Sequence, residues 1–78
     1  MTKLYHYELD TSGLLCPLPL VKAKQKLAGL HPGEILRVIS TDPSSVLDFK
    51  VFAETSGNAL LEVEKTAGKY VMFLRKKA

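Results

Sequence analysis

Cys16-Pro17-Leu18-Pro19 sets a cysteine directly before two prolines that open a helix, and it is the one cysteine among 78 residues. Proline fixes φ near the helical value and has no backbone N–H. It is tolerated in a first helical turn, where the N–H groups lack intrahelical acceptors anyway. On that reading Cys16 is the N-cap, and Pro17 and Pro19 occupy the first and third helical positions. The N–H groups of Leu18 and Leu20 are then among the free donors left to face the sulfur. Those donors and the positive end of the helix dipole stabilise a thiolate more than a thiol. A thiol pKa ordinarily near ~8.5 falls by about a unit or more in such a setting.

The stretch therefore predicts one exposed, activated sulfur. The common alternative for a lone cysteine is a small buried hydrophobe. Position argues against it: Gly13 ahead of the cysteine and prolines behind it describe a turn entering a helix. Ser or Asp would cap that helix better, so a cysteine there points to chemistry.

Composition narrows the chemistry. A single cysteine forms no internal disulfide, no CxxC redox pair and no cysteine-rich zinc site. His6 and His31, the two histidines, show no ligand spacing relative to Cys16, so neither a metal nor a cofactor is expected. Each histidine reads as structural or solvated. No apolar run reaches membrane-spanning length and none resembles a signal peptide, which fits a reducing cytoplasm. The net charge of +3 is compatible with an acidic partner or with RNA and establishes neither. Lys22, Lys24 and Lys26, and the tail Arg75-Lys76-Lys77, read first as solvated faces.

Seventy-eight residues leave room for one domain, spanning 1–78. Tyr5 to Leu9 alternates as a first strand in which Tyr5, Tyr7 and Leu9 share a face. Asp10-Thr11-Ser12-Gly13 turns into the cysteine loop. A helix follows from Pro17 to about Ala28, with Leu20, Val21, Ala23, Leu27 and Ala28 as its apolar stripe and Gly29 as a left-handed C-cap. Lys24 falls inside that stripe, either snorkelling to water or contributing to the field around Cys16.

Ile35 to Ser40 is nearly continuous in apolar residues, as in a central strand beneath helices. Asp42 followed by Pro43 has the form of an N-cap with proline at the first position of a second helix, running to Ser56. Its apolar residues spread around more than one face, so it is either kinked into two pieces or partly apolar and exposed. Gly57-Asn58 starts a hairpin through Leu61 and Val63 that turns at Thr66-Ala67-Gly68 and returns from Tyr70 to Leu74. The order β-α-β-α-β-β with right-handed crossovers predicts an α/β two-layer sandwich, a four-stranded mixed sheet with both helices on one face. Loops after parallel strands gather on one sheet edge. Asp42 can therefore lie near Cys16, where its carboxylate would fix a loop and oppose a thiolate rather than activate it.

Gly13-Leu14-Leu15-Cys16-Pro17-Leu18-Pro19 resembles the CPxP signature of the TusA/SirA-like sulfur carriers. Pro32-Gly33-Glu34, the strand ending in Asp42-Pro43, then Asp48 and Gly57 resemble the family's later landmarks, so the resemblance covers nearly the whole chain. It implies that Cys16 carries sulfur as a persulfide, received from a cysteine desulfurase or a rhodanese and passed to a DsrE/TusD-like acceptor. In the family this relay serves tRNA thiolation, sulfur oxidation or cofactor sulfur trafficking. It also implies a carrier with little turnover of its own, a monomer when alone, without a membrane or a stable nucleic-acid partner. Some members have a second cysteine where this chain has Ala53, so single-cysteine transfer is the applicable chemistry.

Two other readings stand beside it. One is a small basic nucleic-acid-binding module in which Cys16 is chemically idle, although no RNP-like aromatic motif or GxxG loop is present. The other is a thiol-redox protein, which without a resolving cysteine needs an outside thiol.

Overall fold

The run Ile-Leu-Arg-Val-Ile-Ser forms a strand with both neighbours in place, and the rest of the sheet is assembled around it. In the computed structural model, which describes residues 4–78, the elements in chain order are β1 (Tyr7–Asp10), α1 (Leu18–Ala28), β2 (Ile35–Ser40), α2 (Ser45–Ser56), β3 (Ala59–Thr66) and β4 (Lys69–Arg75). The sheet order is β1-β2-β4-β3. β1 runs parallel to β2, whereas β4 is antiparallel to both β2 and β3, so the sheet is mixed. This is the layout expected of the sequence.

Alternation along the strands decides what each face buries. Leu36 and Val38 of β2 pair with Leu74 and Met72 of β4 and point to the helix side. There they meet Ala23 and Leu27 of α1 and Phe49 of α2 in one buried cluster, with Leu9, Leu20, Val46, Phe52 and Leu60 packed on its margin. Phe49 has no exposed surface. On the opposite face Arg37 pairs with Glu8, and its guanidinium lies 5.5 Å from the Tyr5 ring. The Tyr5 ring is 6.2 Å from that of Phe73.

Several boundaries differ from the sequence reading. β1 begins at Tyr7, so Tyr5 lies outside the strand and covers the helix-free face instead of sharing the face of Tyr7 and Leu9. On α1, Val21 and Ala28 are exposed, which narrows the buried stripe to Pro19, Ala23 and Leu27. Gly29 is the C-cap but is right-handed, at φ −92°; its N–H donates to the Lys26 carbonyl, and the Leu30 N–H to that of Leu27. α2 starts at Ser45, not Pro43, and is one continuous helix that leaves Leu47 and Val51 exposed.

Two turns follow their residue types closely. The β3–β4 connection is Ala67-Gly68, with φ of 49° and 75°, the doubly positive pattern of a two-residue hairpin turn. Gly57 ends α2 at φ 84° and returns its N–H to the Ala53 carbonyl. A side chain there would be held in left-handed backbone, so Gly57→Ala is expected to lower unfolding free energy by about 1–2 kcal/mol. Urea denaturation checks it; an unchanged midpoint would show that α2 ends without that geometry. β3 carries a register shift between Leu60 and Glu62, placing Leu61 in a bulge.

Candidate functional site

Because β1 and β2 are parallel, their C-terminal ends lie side by side and the loops that follow can be tied together. Thr11 makes the first tie: its N–H donates to the Ile39 carbonyl at 2.8 Å, and its hydroxyl donates to the same oxygen at 2.5 Å. Gly13 N–H then donates to the Thr41 hydroxyl at 2.9 Å. Gly13 has φ 83°, a left-handed conformation that glycine adopts without a Cβ penalty. These bonds hold the segment from Thr11 to Cys16 against the end of β2.

Asp42 completes the join. One carboxylate oxygen accepts from Cys16 N–H at 2.5 Å, and the other accepts from the Ser44 N–H at 3.0 Å and hydroxyl at 2.9 Å. Asp42 is thus not the N-cap of α2; that position is Ser44, which has no side-chain cap bond. The aspartate side chain faces back across the loops because Cys16 N–H and Ser44 both present donors to it. These bonds, that from Cys16 first, hold the Asp42 carboxyl below the usual carboxylate range.

A group so depressed in the folded state stabilises fully above its unfolded pKa of about 3.9, and that contribution is lost as pH falls through the folded value. Asp10 and Glu34 are lowered as well. Stability is therefore expected to fall on acidification below about pH 4, and less steeply in Asp42→Asn. Urea midpoints measured from pH 2 to 6 check this; parallel acid limbs would remove Asp42 from the account.

Cys16 is exposed and unpaired as a disulfide. It lies one residue further from the helix than the sequence suggests: Pro17 is the N-cap at φ −97°, Leu18 the first helical residue and Pro19 the second. Leu18 N–H is occupied by the Leu15 carbonyl at 2.8 Å, so it does not face the sulfur. The thiol instead donates to a carboxylate oxygen of Asp48, in the first turn of α2, at 2.6 Å. That bond, with burial second, pushes the Cys16 thiol pKa up, while the Ser44 hydroxyl acts in the opposite sense. The expected lowering is therefore corrected in sign: the hydrogen bond to Asp48, with burial, outweighs the Ser44 hydroxyl.

Asp48 is the residue whose contact sequence reasoning missed. The usable signal was an acidic residue in the first turn of the second helix, once both helix starts are placed on one sheet edge. The other candidates lie elsewhere. His6 Nδ1 accepts from Ile35 N–H at 3.0 Å, and His31 binds Glu34, all at the far end of β2. Lys24 and Lys26 place their ammonium groups 5.5 Å and 5.0 Å from the rings of Phe52 and Tyr7. Leu15, Leu18 and Leu47 are exposed around the cysteine loop and the start of α2.

A concavity of about 220 Å³ is bordered by Gly33, Gly57 and the tail residues Arg75–Lys77, away from the sulfur. Among the described residues no group of three or more His, Cys, Asp or Glu could hold a metal ion, and no helix is long and apolar enough to cross a membrane.

Comparison with known proteins gives a consistent answer. Residues 7–76 match the family model described as sulfurtransferase TusA. The chain is 46% identical over 72 residues to the sulfur carrier protein TusA of Allochromatium vinosum, covering 92% of this chain and 95% of that one. It is 43% identical over 70 residues to the sulfur carrier protein TusA of Pseudomonas aeruginosa, covering 90% and 89%. Among solved structures, a SirA-like protein from Desulfitobacterium hafniense superposes with a TM-score of 0.82 at 26% identity, over 94% of this chain and all of that one.

Proposed function

The chain belongs to the TusA family of sulfur carriers, and from that premise we propose that Cys16 is the atom on which it carries sulfur, as a persulfide. The observation that supports this is the position of the chain's one thiol, exposed on the sheet edge where the two parallel strands end and open to another protein. The chemistry needs nothing more from the carrier than an accessible sulfur. Cys16 attacks the outer sulfur of a donor's cysteine persulfide; a new S–S bond forms, the donor's S–S bond breaks, and the donor cysteine leaves with the electron pair and takes up the proton. Hand-over repeats the exchange, with an acceptor cysteine attacking the outer sulfur of the Cys16 persulfide.

A cysteine desulfurase or a rhodanese fits as donor and a DsrE/TusD-like protein as acceptor, within tRNA thiolation, sulfur oxidation or cofactor sulfur trafficking. The exposed Leu15, Leu18 and Leu47 give such partners apolar surface next to the sulfur. The test is to incubate the full chain with a cysteine desulfurase and cysteine and to weigh it intact. The expected product carries one additional sulfur atom that dithiothreitol removes; a chain that stays at its starting mass with every donor class overturns the reading.

A further inference from the structure

The thiol's hydrogen bond to Asp48 is not required by sulfur exchange, and it opposes the nucleophile that exchange needs. Resting on the reading of Cys16 as the sulfur-bearing residue, we infer that Asp48 keeps Cys16 of the free protein as a protonated thiol, and that a donor unlocks it by setting a cation against that carboxylate.

Geometry separates the two aspartates. Asp42 is committed to Cys16 N–H and Ser44, whereas Asp48 receives the thiol itself at 2.6 Å. Asp48 sits in the first turn of α2, and that turn carries its carboxyl to the thiol. Its neighbour Phe49 is fully buried, which fixes the helix that presents it. The groups acting on the thiol are the carboxylates of Asp48 and Asp42 and the hydroxyl of Ser44, and no lysine or arginine is among them. Among the described residues no ion pair engages either aspartate. On the helix behind the sulfur, Lys24 and Lys26 are turned away over aromatic rings.

An ammonium or guanidinium brought to Asp48 would compete for the oxygen that holds the S–H and would favour the thiolate through its charge. The proton leaves Sγ as the new S–S bond forms and ends on the donor's departing cysteine, so no further reactant is needed. The free carrier is then a slow nucleophile in spite of its exposure, protected from stray electrophiles until a basic partner surface arrives.

The test is alkylation of the full chain by iodoacetamide across pH, followed by intact mass. In Asp48→Asn the half-point of the pH profile is expected to fall, with alkylation below it about threefold faster for each unit of the fall, the gain in thiolate being partly offset by its weaker nucleophilicity; Asp48→Glu restores the wild-type profile. A half-point in Asp48→Asn equal to or above wild type overturns the inference.

A second measurement uses wild type alone and does not depend on the variant folding. Cys16 exchanges with a symmetric disulfide, forming a mixed disulfide and releasing one thiol. Cationic cystamine is expected to react severalfold faster than anionic dithiodiglycolate, relative to the same ratio for neutral 2-mercaptoethanol. The gap should close in about 1 M salt, where screening reaches ~3 Å. Equal normalised rates at low salt overturn the cation half of the inference. Sulfur loading is scored separately: a chain that never loads but shows the Asp48→Asn drop loses the carrier role and keeps this proton-holding one.

Discussion

Cys16→Ser is expected to abolish sulfur loading completely while leaving the fold intact. The chain has one sulfur nucleophile; its methionine thioethers carry no proton and form no persulfide. No second cysteine can take over, so loss is total rather than partial. The fold should not notice, because Cys16 is exposed and outside the buried cluster, and substitutions at such sites usually change stability by no more than about 0.5 kcal/mol. A serine hydroxyl can also donate to Asp48, so the start of α2 keeps its contact. Intact mass after desulfurase treatment and a urea unfolding curve on the same preparation check both halves. Equal sulfur incorporation in wild type and variant would place the acceptor atom elsewhere in the chain.

Phe49→Ala is expected to have the largest effect on stability, about 3–5 kcal/mol. Phe49 is fully buried and lies in the same cluster as Leu36, Val38, Met72 and Leu74 of the sheet and Ala23 and Leu27 of α1. Truncation removes its transfer free energy and leaves a hole that surrounding strands cannot fill by shifting. A chain of 78 residues has a total of about 4–12 kcal/mol to lose, so much of the population unfolds under mild denaturant. The neighbouring Asp48 depends on the same anchor, so the thiol contact loosens before global unfolding. Urea denaturation measures the loss; a change below about 1 kcal/mol would mean that α2 is not held by this ring.

Element types were legible because their signals are local. The apolar run of β2, the alternation of β3, and the glycines at 57 and 68 each carry their conformation in a few residues. The layering also followed, since crossover handedness leaves few arrangements for this order of elements. The exposure of Cys16 was legible, and so was the nearness of Asp42, which the shared strand ends enforce.

What was not legible came from residues far apart in sequence. The bonds from Cys16 to Asp42 and Asp48 span 26 and 32 positions, and the bond to Asp48 pushes the thiol pKa up where the local helix start predicts a fall. Similarly, Tyr5 leaves the strand because Arg37 and Phe73 offer its ring a place on the other face, which alternation alone cannot reveal.

The bulge at Leu61 has a consequence for company that the molecule must refuse. β3 is an outer strand of the sheet, and an outer strand offers unpaired amides to any extended chain that drifts past. The displaced register bends that border, and beyond it Glu62, Glu64 and Lys65 line it with charge. Glu64 already has its carboxyl pushed up by the adjoining Glu62, so a further acidic strand laid alongside would meet repulsion at once. A protein whose work is brief contact with others can thus keep one rim closed to lasting self-adhesion while the opposite corner of the sheet stays open for trade.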